Sequence, residues 1–592
     1  MSFGSNSVSR RELVRAHVLA SLLTGIGLTS TACAPFNDDA PGIDYQCETS
    51  ESALFKFGGG EGSCGYGDEN LPLGEPTWPE DSRICQVLTS EKSDPFDEAT
   101  IDTSRIQTAI NDCKKAWRDS FYTLPNETPV PPPVVVKLVA SGNNRVFISG
   151  PLILDSVILW VDKDVTLYMS RNPDNFKMES SGILCGSPGM NGATACSDFI
   201  KPQGHRPGII GEGTIDGMGD EPLIGRSYSW WQLSQALRET NGSIGNPNMI
   251  ATQSGTTGFL MYRITLQNSS KFHVKITSNP PASTRQQYAA WETAPTSASN
   301  RYACDQMGRG YTVWGVTVHT PSRWFNSQGV QNTPHLARNT DGIDPGTTAD
   351  TSCGVIACNT VTTSDDQIAI KGGKVLDGLV IAHNHFGTGH GMSIGSETYG
   401  GGPSEGPKIP GVKNVLVYDL TIDGASRAVG DGSSIADLNG IRIKSDLSRG
   451  GFVDNVTYRD ICMRDIPNAI MLLPSYNPLF SGNSYPQFTN IKLENVRHVS
   501  CTNPLQSVVT LHGLNAGRIM GPITLNNVVI DGIGTNAISA QYANLLLGPG
   551  PVNFTPVGDG VTVTDDRNGE GSPKKCVFPP LPAPKAPEGW SY

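Results

Sequence analysis

The chain has 592 residues, of which 66 are glycine and 42 are proline, and its hydrophobic fraction is 37%. This turn-rich composition favours one large all-β solenoid over a set of helical domains. The formal net charge of −12 argues against nucleic acid as a partner, because binding phosphates requires a basic surface.

The first 33 residues have the pattern of an export signal. Arg10 and Arg11 precede an apolar run over 16–28 and a group of small residues that ends at Cys33. The arginine pair resembles the twin-arginine motif, and an ordinary export signal is the alternative. Cys33 is a candidate for lipid attachment, although Ser30 stands where bacterial lipoprotein signals usually carry leucine. We predict an exported protein, periplasmic, cell-surface or extracellular, in which a lipid on Cys33 is the one candidate membrane anchor.

Twelve further cysteines follow Cys33. Disulfide bonds are expected in an exported chain, but their pairing cannot be deduced from the sequence. The sequence contains no Cys-x-x-Cys pair, so it predicts no zinc site, and we predict no other metal or cofactor.

The rest of the chain divides into three parts. Residues 34–84 are rich in glycine, proline and acids without a sustained period, which predicts a tether. Residues 85–548 are the predicted catalytic domain, and the proline-rich residues 549–592 are a predicted tail, held partly by Cys576. Within 102–117 apolar residues recur at helical spacing and predict a capping helix, and these are Ile106, Ala109, Ile110, Cys113 and Trp117.

Short β-rich runs separated by glycine, asparagine or aspartate turns fill most of 85–548. Their recurrence favours a right-handed parallel β-helix over a sandwich, and they lack the four-strand grouping of a propeller. Three long polar segments interrupt the pattern, at 279–309, 397–411 and 426–438. Solenoids accept such insertions at the turns of one face, which is often the binding face.

Three polar residues recur at the spacing of one solenoid coil. Asp341, Asp366 and His390 lie about 25 positions apart, so that a solenoid would stack them. Each stands two positions before an apolar residue, respectively Ile343, Ile368 and Met392. If those apolar residues face the core, the polar three lie in the bend before each strand and line a cleft, and Gln367 faces outward.

Two more aspartates accompany this row. Asp365 adjoins Asp366, and both can reach one cleft only if the chain bends there, because adjacent side chains on a regular strand face opposite ways. Asp344 is a rival for the position given to Asp341. Crowded carboxylates raise the proton affinity of one member and leave another ionised, so this cluster can supply both an acid and a base.

A pair of cations follows on a later coil. Arg442 and Lys444 alternate with apolar residues, so both side chains point the same way out of the coil. A guanidinium and an ammonium group together suit a carboxylate ligand. A solvated basic edge is the alternative, and the nearby aspartates favour binding. For Lys371 we leave open whether it belongs to the site or is a surface charge.

Four motifs in a fixed order carry a family resemblance: NTDGID at 339–344, SDDQIAIK at 364–371, GHGMSIGS at 389–396 and RIKS at 442–445. On a β-rich repeat they resemble the polygalacturonase family of pectin-degrading glycoside hydrolases, family 28. The resemblance covers about 102–535 and implies a right-handed parallel β-helix that hydrolyses α-1,4-galacturonan with inversion. The sequence departs from the family pattern at Gln367, where relatives often carry cysteine.

The resemblance also implies a role for each candidate residue. Asp365 is the general acid, and Asp341 and Asp366 hold and activate the water. His390 tunes the acid or holds the sugar. An inverting reaction of this kind needs an acid and a base about 6.5–9.5 Å apart.

Two other functions stay open at this point. One is a calcium-dependent pectate lyase on a similar β-helix, and the other is a non-catalytic adhesin that binds polysaccharide. The preferred pectic backbone is also open. Because the insertions adjoin the candidate site, we expect them to narrow the cleft and to favour exo action at chain ends.

Overall fold

The computed structural model describes residues 71, 74–122, 133–177, 185–187, 196–239, 245–277, 310–346, 351–372, 376–398, 411–424, 438–477, 482–501, 507–572 and 575–586. The predicted export signal, most of the predicted tether and nearly all of the three polar insertions lie outside these residues. Among the described helices, none has the length and apolar character needed to cross a membrane.

The described part of the chain contains two α-helices, α1 (Thr103–Tyr122) and α2 (Trp230–Glu239), and 32 strands. The first strands are β1 (Ile84–Thr89), β2 (Val134–Val139), β3 (Val146–Ser149), β4 (Leu152–Asp155), β5 (Val157–Val161), β6 (Thr166–Met169), β7 (Ile200–Gln203), β8 (Gly208–Ile210), β9 (Thr214–Asp216), β10 (Ile250–Ala251) and β11 (Phe259–Tyr262). The middle strands are β12 (Thr265–Gln267), β13 (Val274–Ile276), β14 (Tyr311–Trp314), β15 (Thr317–His319), β16 (Ile343–Pro345), β17 (Thr351–Ala357), β18 (Thr360–Thr362), β19 (Ile368–Ile370), β20 (Leu376–Ala382), β21 (His385–Phe386) and β22 (Met392–Ile394). The last strands are β23 (Val412–Asp423), β24 (Asn439–Lys444), β25 (Phe452–Arg464), β26 (Asn468–Leu473), β27 (Gln487–Val499), β28 (Val508–His512), β29 (Met520–Ile530), β30 (Ile538–Gln541), β31 (Ala543–Leu547) and β32 (Thr562–Asp565).

The strands form two parallel sheets, one of 21 strands and one of 11 strands. Neighbours in the smaller sheet follow the chain one coil at a time, in the order β4, β7, β10, β13, β16, β19, β22, β24, β26, β28 and β30. A chain that returns to the same sheet in parallel after every coil is a β-helix, with the right-handed crossover that parallel strands adopt. The fold predicted from the sequence is confirmed.

The interior of the β-helix is a stack of apolar side chains at equal register. Ile343, Ile368, Met392, Ile441 and Ile470 pair from strand to strand across the smaller sheet, and all are buried. Fully burying one such side chain contributes about 1.5–3 kcal/mol. A slip of one residue would turn these side chains outward, so the stack fixes the register of the bends that precede the strands.

The predicted capping helix is confirmed. Helix α1 buries the residues that recur at helical spacing, namely Ile106, Ala109, Ile110, Cys113 and Trp117. A disulfide bond between Cys85 and Cys113 ties this helix to β1, with 5.8 Å between the Cα atoms. The helix therefore covers the open end of the apolar stack, which would otherwise face water.

Further disulfide bonds join Cys185 to Cys196 and Cys462 to Cys576, and Cys358 and Cys501 are disulfide-bonded as well. The Cys462–Cys576 bond joins β25 to the C-terminal tail. Strand β32 pairs in parallel with β31, so the larger sheet continues one strand beyond residue 548. Further along the tail, the amide of Lys585 donates to the carbonyl of Ser322, and the Lys585 carbonyl accepts from the Trp324 amide.

Candidate active site

The predicted site residues come from consecutive coils of the smaller sheet. Asp341 precedes β16, Asp365 and Asp366 precede β19, and His390 precedes β22. The cationic pair lies on β24 itself. The register of β16, β19 and β22 aligns Ile343 with Ile368 and then with Met392, so the predicted equivalence of the three coils is confirmed. All six predicted side chains line one cleft of about 860 Å³, and these are Asp341, Asp365, Asp366, His390, Arg442 and Lys444.

The chain bends at the two adjacent aspartates. The segment between β18 and β19 has no strand geometry, and the amide of Asp366 donates to Oδ1 of Asp365 at 3.0 Å. The Asp365 carbonyl accepts from the His390 amide at 2.9 Å. Because of this bend both carboxylates face the cleft, as expected from the sequence.

Asp365 contacts the histidine of the next coil. Its Oδ1 lies 3.0 Å from Nδ1 of His390, and its Oδ2 accepts from the amide of Asn339 at 3.2 Å. Burial raises the pKa of Asp365, but His390, Lys444 and Arg442 oppose burial and together hold this pKa well below its usual range. Asp365 is therefore ionised at neutral pH.

Asp366 is the most strongly partnered carboxylate of the cleft. Its Oδ2 accepts from Nζ of Lys444 at 2.7 Å, and its Oδ1 accepts from Oγ of Ser393 at 2.7 Å. Nη1 of Arg442 lies 3.4 Å from the same Oδ1. Burial raises the pKa of Asp366, and the two cations outweigh burial, so this pKa is lowered.

Asp341 and Asp344 present the opposite situation. Both carboxylates are buried, and within the described part of the chain Oδ1 of Asp341 and both carboxylate oxygens of Asp344 have no hydrogen-bond partner. Burial raises the pKa of Asp341 well above its usual range, and the neighbouring Asp344 raises it further. Burial likewise raises the pKa of Asp344, to about 7. Asp341 and Asp344, the two candidates for the same role, therefore both line the cleft.

Two glycines allow His390 to reach the cleft. Gly389 and Gly391 have φ values of +149° and +83°, which residues other than glycine rarely adopt. A Cβ atom on Gly391 would lie 2.2 Å from the carbonyl oxygens of Asn439 and Gly440. The Gly-His-Gly sequence is therefore a steric requirement of the turn before β22.

Gln367 supports the same turn. Its side chain is fully buried, so the expectation that it faces outward is wrong. Its Nε2 donates to the Gly387 carbonyl at 2.7 Å, and its Oε1 accepts from the Gly391 amide at 2.5 Å. The turn that carries His390 folds over Gln367, which is why strand alternation fails here.

Comparison with known proteins identifies the family. The family model described as "Glycosyl hydrolases family 28" matches residues 298–548, which include all the site residues. A polygalacturonase of Ralstonia nicotianae is 32% identical over 525 residues, covering 82% of this chain and 85% of that protein. The chain belongs to glycosyl hydrolase family 28. This family 28 enzyme is therefore a glycoside hydrolase, as its motifs predict.

Two further relatives agree with this membership. An endo-polygalacturonase of Pectobacterium carotovorum subsp. carotovorum is 31% identical over 468 residues, covering 78% of this chain and 90% of that protein. The solved polygalacturonase from Erwinia carotovora ssp. carotovora superposes with a TM-score of 0.54 at 26% identity. That match covers 84% of this chain and 96% of the Erwinia chain.

Several cleft residues of the family 28 enzyme escaped the sequence reasoning. Glu397 and Arg449 line the cleft and form an ion pair, with Arg449 Nη1 2.7 Å from Glu397 Oε1. Tyr476 also lines it, and Nζ of Lys444 lies 6.0 Å from the centre of the Tyr476 ring. These three residues follow strand ends, where no periodic pattern marks them. Lys371, which the sequence allowed to be either a site residue or a surface charge, lines the cleft and is mostly buried.

The described residues contain one group with the spacing of a metal site. One possible ligand atom from each of Asp365, Asp366 and His390 lies within 4.8 Å of the others. Lys444 and Arg442 already contact Asp366, and a divalent cation would have to approach these two positive charges. The charge balance of the cleft therefore favours an anionic ligand over a metal ion.

Proposed function

We propose that this family 28 enzyme is exported and hydrolyses the α-1,4-galacturonosyl bonds of pectin by inversion. One observation carries the proposal: ionised and proton-binding carboxylates share a cleft with a guanidinium and an ammonium group. The carboxylates suit acid and base catalysis of glycoside hydrolysis, and the cations suit a uronic acid. The names of the relatives, polygalacturonase and endo-polygalacturonase, support the same substrate.

In this proposal Asp365 donates a proton to the leaving oxygen. His390 lowers its pKa most, and the other two groups that lower it, Lys444 and Arg442, are the ones proposed to bind the substrate. A bound uronate would neutralise them, and the proton affinity of Asp365 would then rise. Substrate binding and protonation of Asp365 are thus coupled. His390, 3.0 Å from the carboxylate, tunes this proton affinity.

Asp341 and Asp366 hold and activate the water. Oδ1 of Asp341 is buried without a hydrogen bond to any described residue and is able to accept one from that water. Asp366 is ionised and fixed by Ser393 and Lys444, so it offers an oriented acceptor. After the water attacks, one of its protons passes to the base and its hydroxyl remains on the sugar.

Family membership favours hydrolysis over the lyase and over the adhesin. Exo action stays a prediction, because the insertions on which it depends lie almost wholly outside the described residues. The second candidate is internal cleavage, favoured by the name of the Pectobacterium relative. The disulfide bonds of the described part support export, since such bonds persist in oxidising compartments.

One set of assays tests the proposal. The protein is incubated separately with homogalacturonan, xylogalacturonan and rhamnogalacturonan, while reducing ends, ultraviolet absorbance and viscosity are followed together. Release of reducing ends without ultraviolet absorbance establishes hydrolysis, and absorbance that a chelator abolishes would establish a lyase. A slow fall in viscosity relative to reducing ends supports exo action, whereas a steep early fall supports internal cleavage. Proton NMR of the first product reports whether the anomeric configuration inverts.

A further inference from the structure

A single ammonium group lies among three carboxylates on the floor of the cleft. Nζ of Lys371 is 3.9 Å from Oδ2 of Asp341, 3.7 Å from Oδ2 of Asp344 and 3.6 Å from Oε2 of Glu397. Only 12% of the Lys371 side chain is exposed. An ammonium group so placed lies close to the two carboxylates that have buried oxygens without a hydrogen bond to the described residues, and it is not a solvated surface charge.

The fold holds this ammonium group from two sides. Lys371 directly follows β19, and its Nζ lies 3.4 Å from the carbonyl oxygen of Gly395 on the next coil. Glu397 is fixed in turn by Arg449, whose Nη1 lies 2.7 Å from Glu397 Oε1. The position of the ammonium group therefore depends on the register of the coils and on this ion pair.

We propose that Lys371 is a positioning residue for the hydrolysis. Its ammonium group opposes the second proton that burial would place on the Asp341–Asp344 pair, so that the pair keeps one negative charge towards the water. Glu397 and Arg449 fix the ammonium group between them. This inference rests on the proposed function, and it assigns to Lys371 an action through Asp341 without contact with the reacting atoms.

The electrostatics of the pair agree with this role. Burial raises the pKa of Asp341 and that of Asp344, and Lys371 opposes this rise in both cases. Other charged or titratable groups face the pair from the surrounding coils, namely Asp365, Asp366, His390, Glu397, Arg442, Lys444, Lys271 and Lys275. Removing an ammonium group close to a carboxylate raises the carboxylate pKa by about 1–3 units.

The test compares Lys371→Met with Lys371→Arg. Lys413→Met is the matched control, because Lys413 forms an ion pair with Asp377 at 3.0 Å on the larger sheet, away from the cleft. The pH dependence of kcat/KM for reducing-end release from polygalacturonate is measured for all three and for the wild type. If Asp341 must be ionised, Lys371→Met moves the acidic limb of the profile upward by about 1–3 pH units.

We expect Lys371→Met to lose at least about tenfold in kcat/KM at the wild-type optimum, in line with that shift. We expect Lys371→Arg to retain the wild-type limb and Lys413→Met to match the wild type. An unshifted limb in Lys371→Met would overturn the proposal, whatever happens to its overall rate. Thermal unfolding shows whether Lys371→Met still folds. If it does not, Lys371→Arg decides, because a shifted acidic limb in that variant, which keeps the positive charge, would contradict the role of the charge.

A second measurement does not depend on the substrate. Without the ammonium group, the folded-state pKa values of Asp341 and Asp344 lie further above the unfolded value, so more stability is lost as the pH rises through them. Lys371→Met should therefore match the wild type in unfolding free energy at low pH and fall below it near neutrality. If the wild type releases no reducing ends, the proposed function fails, and this pH-dependent difference still supports or overturns the charge coupling.

Discussion

The cleft and the turn after β9 each bury several carboxylates around a cation. In the turn, Arg323 binds Asp220 through Nε and Nη2, both at 2.6 Å, and its Nη1 lies 3.3 Å from Asp216. Glu221 accepts hydrogen bonds from the amide and the hydroxyl group of Ser327. We call Arg323 together with Asp216, Asp220 and Glu221 the Arg323 cluster. Each of its three carboxylates accepts at least one hydrogen bond.

Two carboxylates of the cleft, Asp341 and Asp344, differ in this respect. Asp341 and Asp344 are as buried as Asp216 and Asp220, yet three of their four oxygens find no hydrogen-bond partner among the residues that the structure describes. Leaving a buried polar group unpaired costs about 1–3 kcal/mol, so such groups persist where function requires them. The number of charges does not distinguish the two clusters, whereas the unpartnered oxygens of Asp341 and Asp344 do.

The largest expected effect is on the stability of the Arg323 cluster. Arg323→Met leaves three buried carboxylates without their cation, which should lower the free energy of unfolding by about 3–5 kcal/mol. Urea denaturation measures this loss. The control is Lys177→Met, which breaks an exposed pair with Asp174 and should cost at most about 1 kcal/mol. If Arg323→Met kept its stability but lost turnover, the Arg323 cluster would have a catalytic role and would no longer differ from the cleft.

Next in size is the loss of the general acid. Asp365→Asn should lower kcat at least ~10²-fold, because general acid catalysis contributes about that much. Its thermal stability should stay near that of the wild type, in contrast to the Arg323 variant. Asp377→Asn, which changes an aspartate paired with Lys413 on the larger sheet, is the activity control. Comparable turnover in the Asp365 variant would remove this residue from its role.

The cations of the cleft should give a smaller, substrate-dependent effect. Losing one charged hydrogen bond costs about 1.5–3 kcal/mol, so Arg442→Met or Lys444→Met should lower kcat/KM on polygalacturonate roughly ten- to a hundredfold. The loss should be smaller on a methyl-esterified chain, whose carboxyl groups are neutral. Parallel assays on the two polymers measure the difference. Equal losses would mean that both cations serve only to hold Asp366.

The last expected effect is on the pH dependence of stability. The pKa of Asp344 is raised to about 7 by burial, above the ordinary unfolded value, so its neutral form stabilises the folded state at low pH. That contribution is lost as the pH rises through about 7. Asp344→Asn, which is neutral at every pH, should flatten this decline, because each unit of pKa shift corresponds to about 1.4 kcal/mol. Parallel pH profiles of unfolding for the variant and the wild type would contradict the raised pKa.

The sequence predicts the parts of the site that follow the coil repeat. Asp341, Asp366 and His390 share a period and an apolar neighbour, and the stacked core places them as expected. The side chains that refine the electrostatics come from turns without periodicity. Glu397 and Arg449 meet above Lys371 because two turns converge there, and the sequence carries no signal for that contact.

Gln367 shows a second limit of the sequence argument. Strand alternation gives the direction of a side chain only while the strand lasts, and Gln367 stands one residue before β19. The next turn closes over it, and its amide group bonds the backbone on either side of His390. The departure from the family pattern at this position is therefore part of the support of the site.

The coil-by-coil origin of the cleft bears on how such an enzyme can change over evolution. Adjacent coils are about 4.8 Å apart, so a coil inserted between β16 and β19 would move Asp341 away from Asp366 by that distance. The apolar core would still stack around the inserted coil. A coil added before β13 or after β26 would instead lengthen the binding surface and leave the catalytic spacing intact. Duplication of outer coils is thus a route to longer substrates, whereas duplication between the catalytic coils is not.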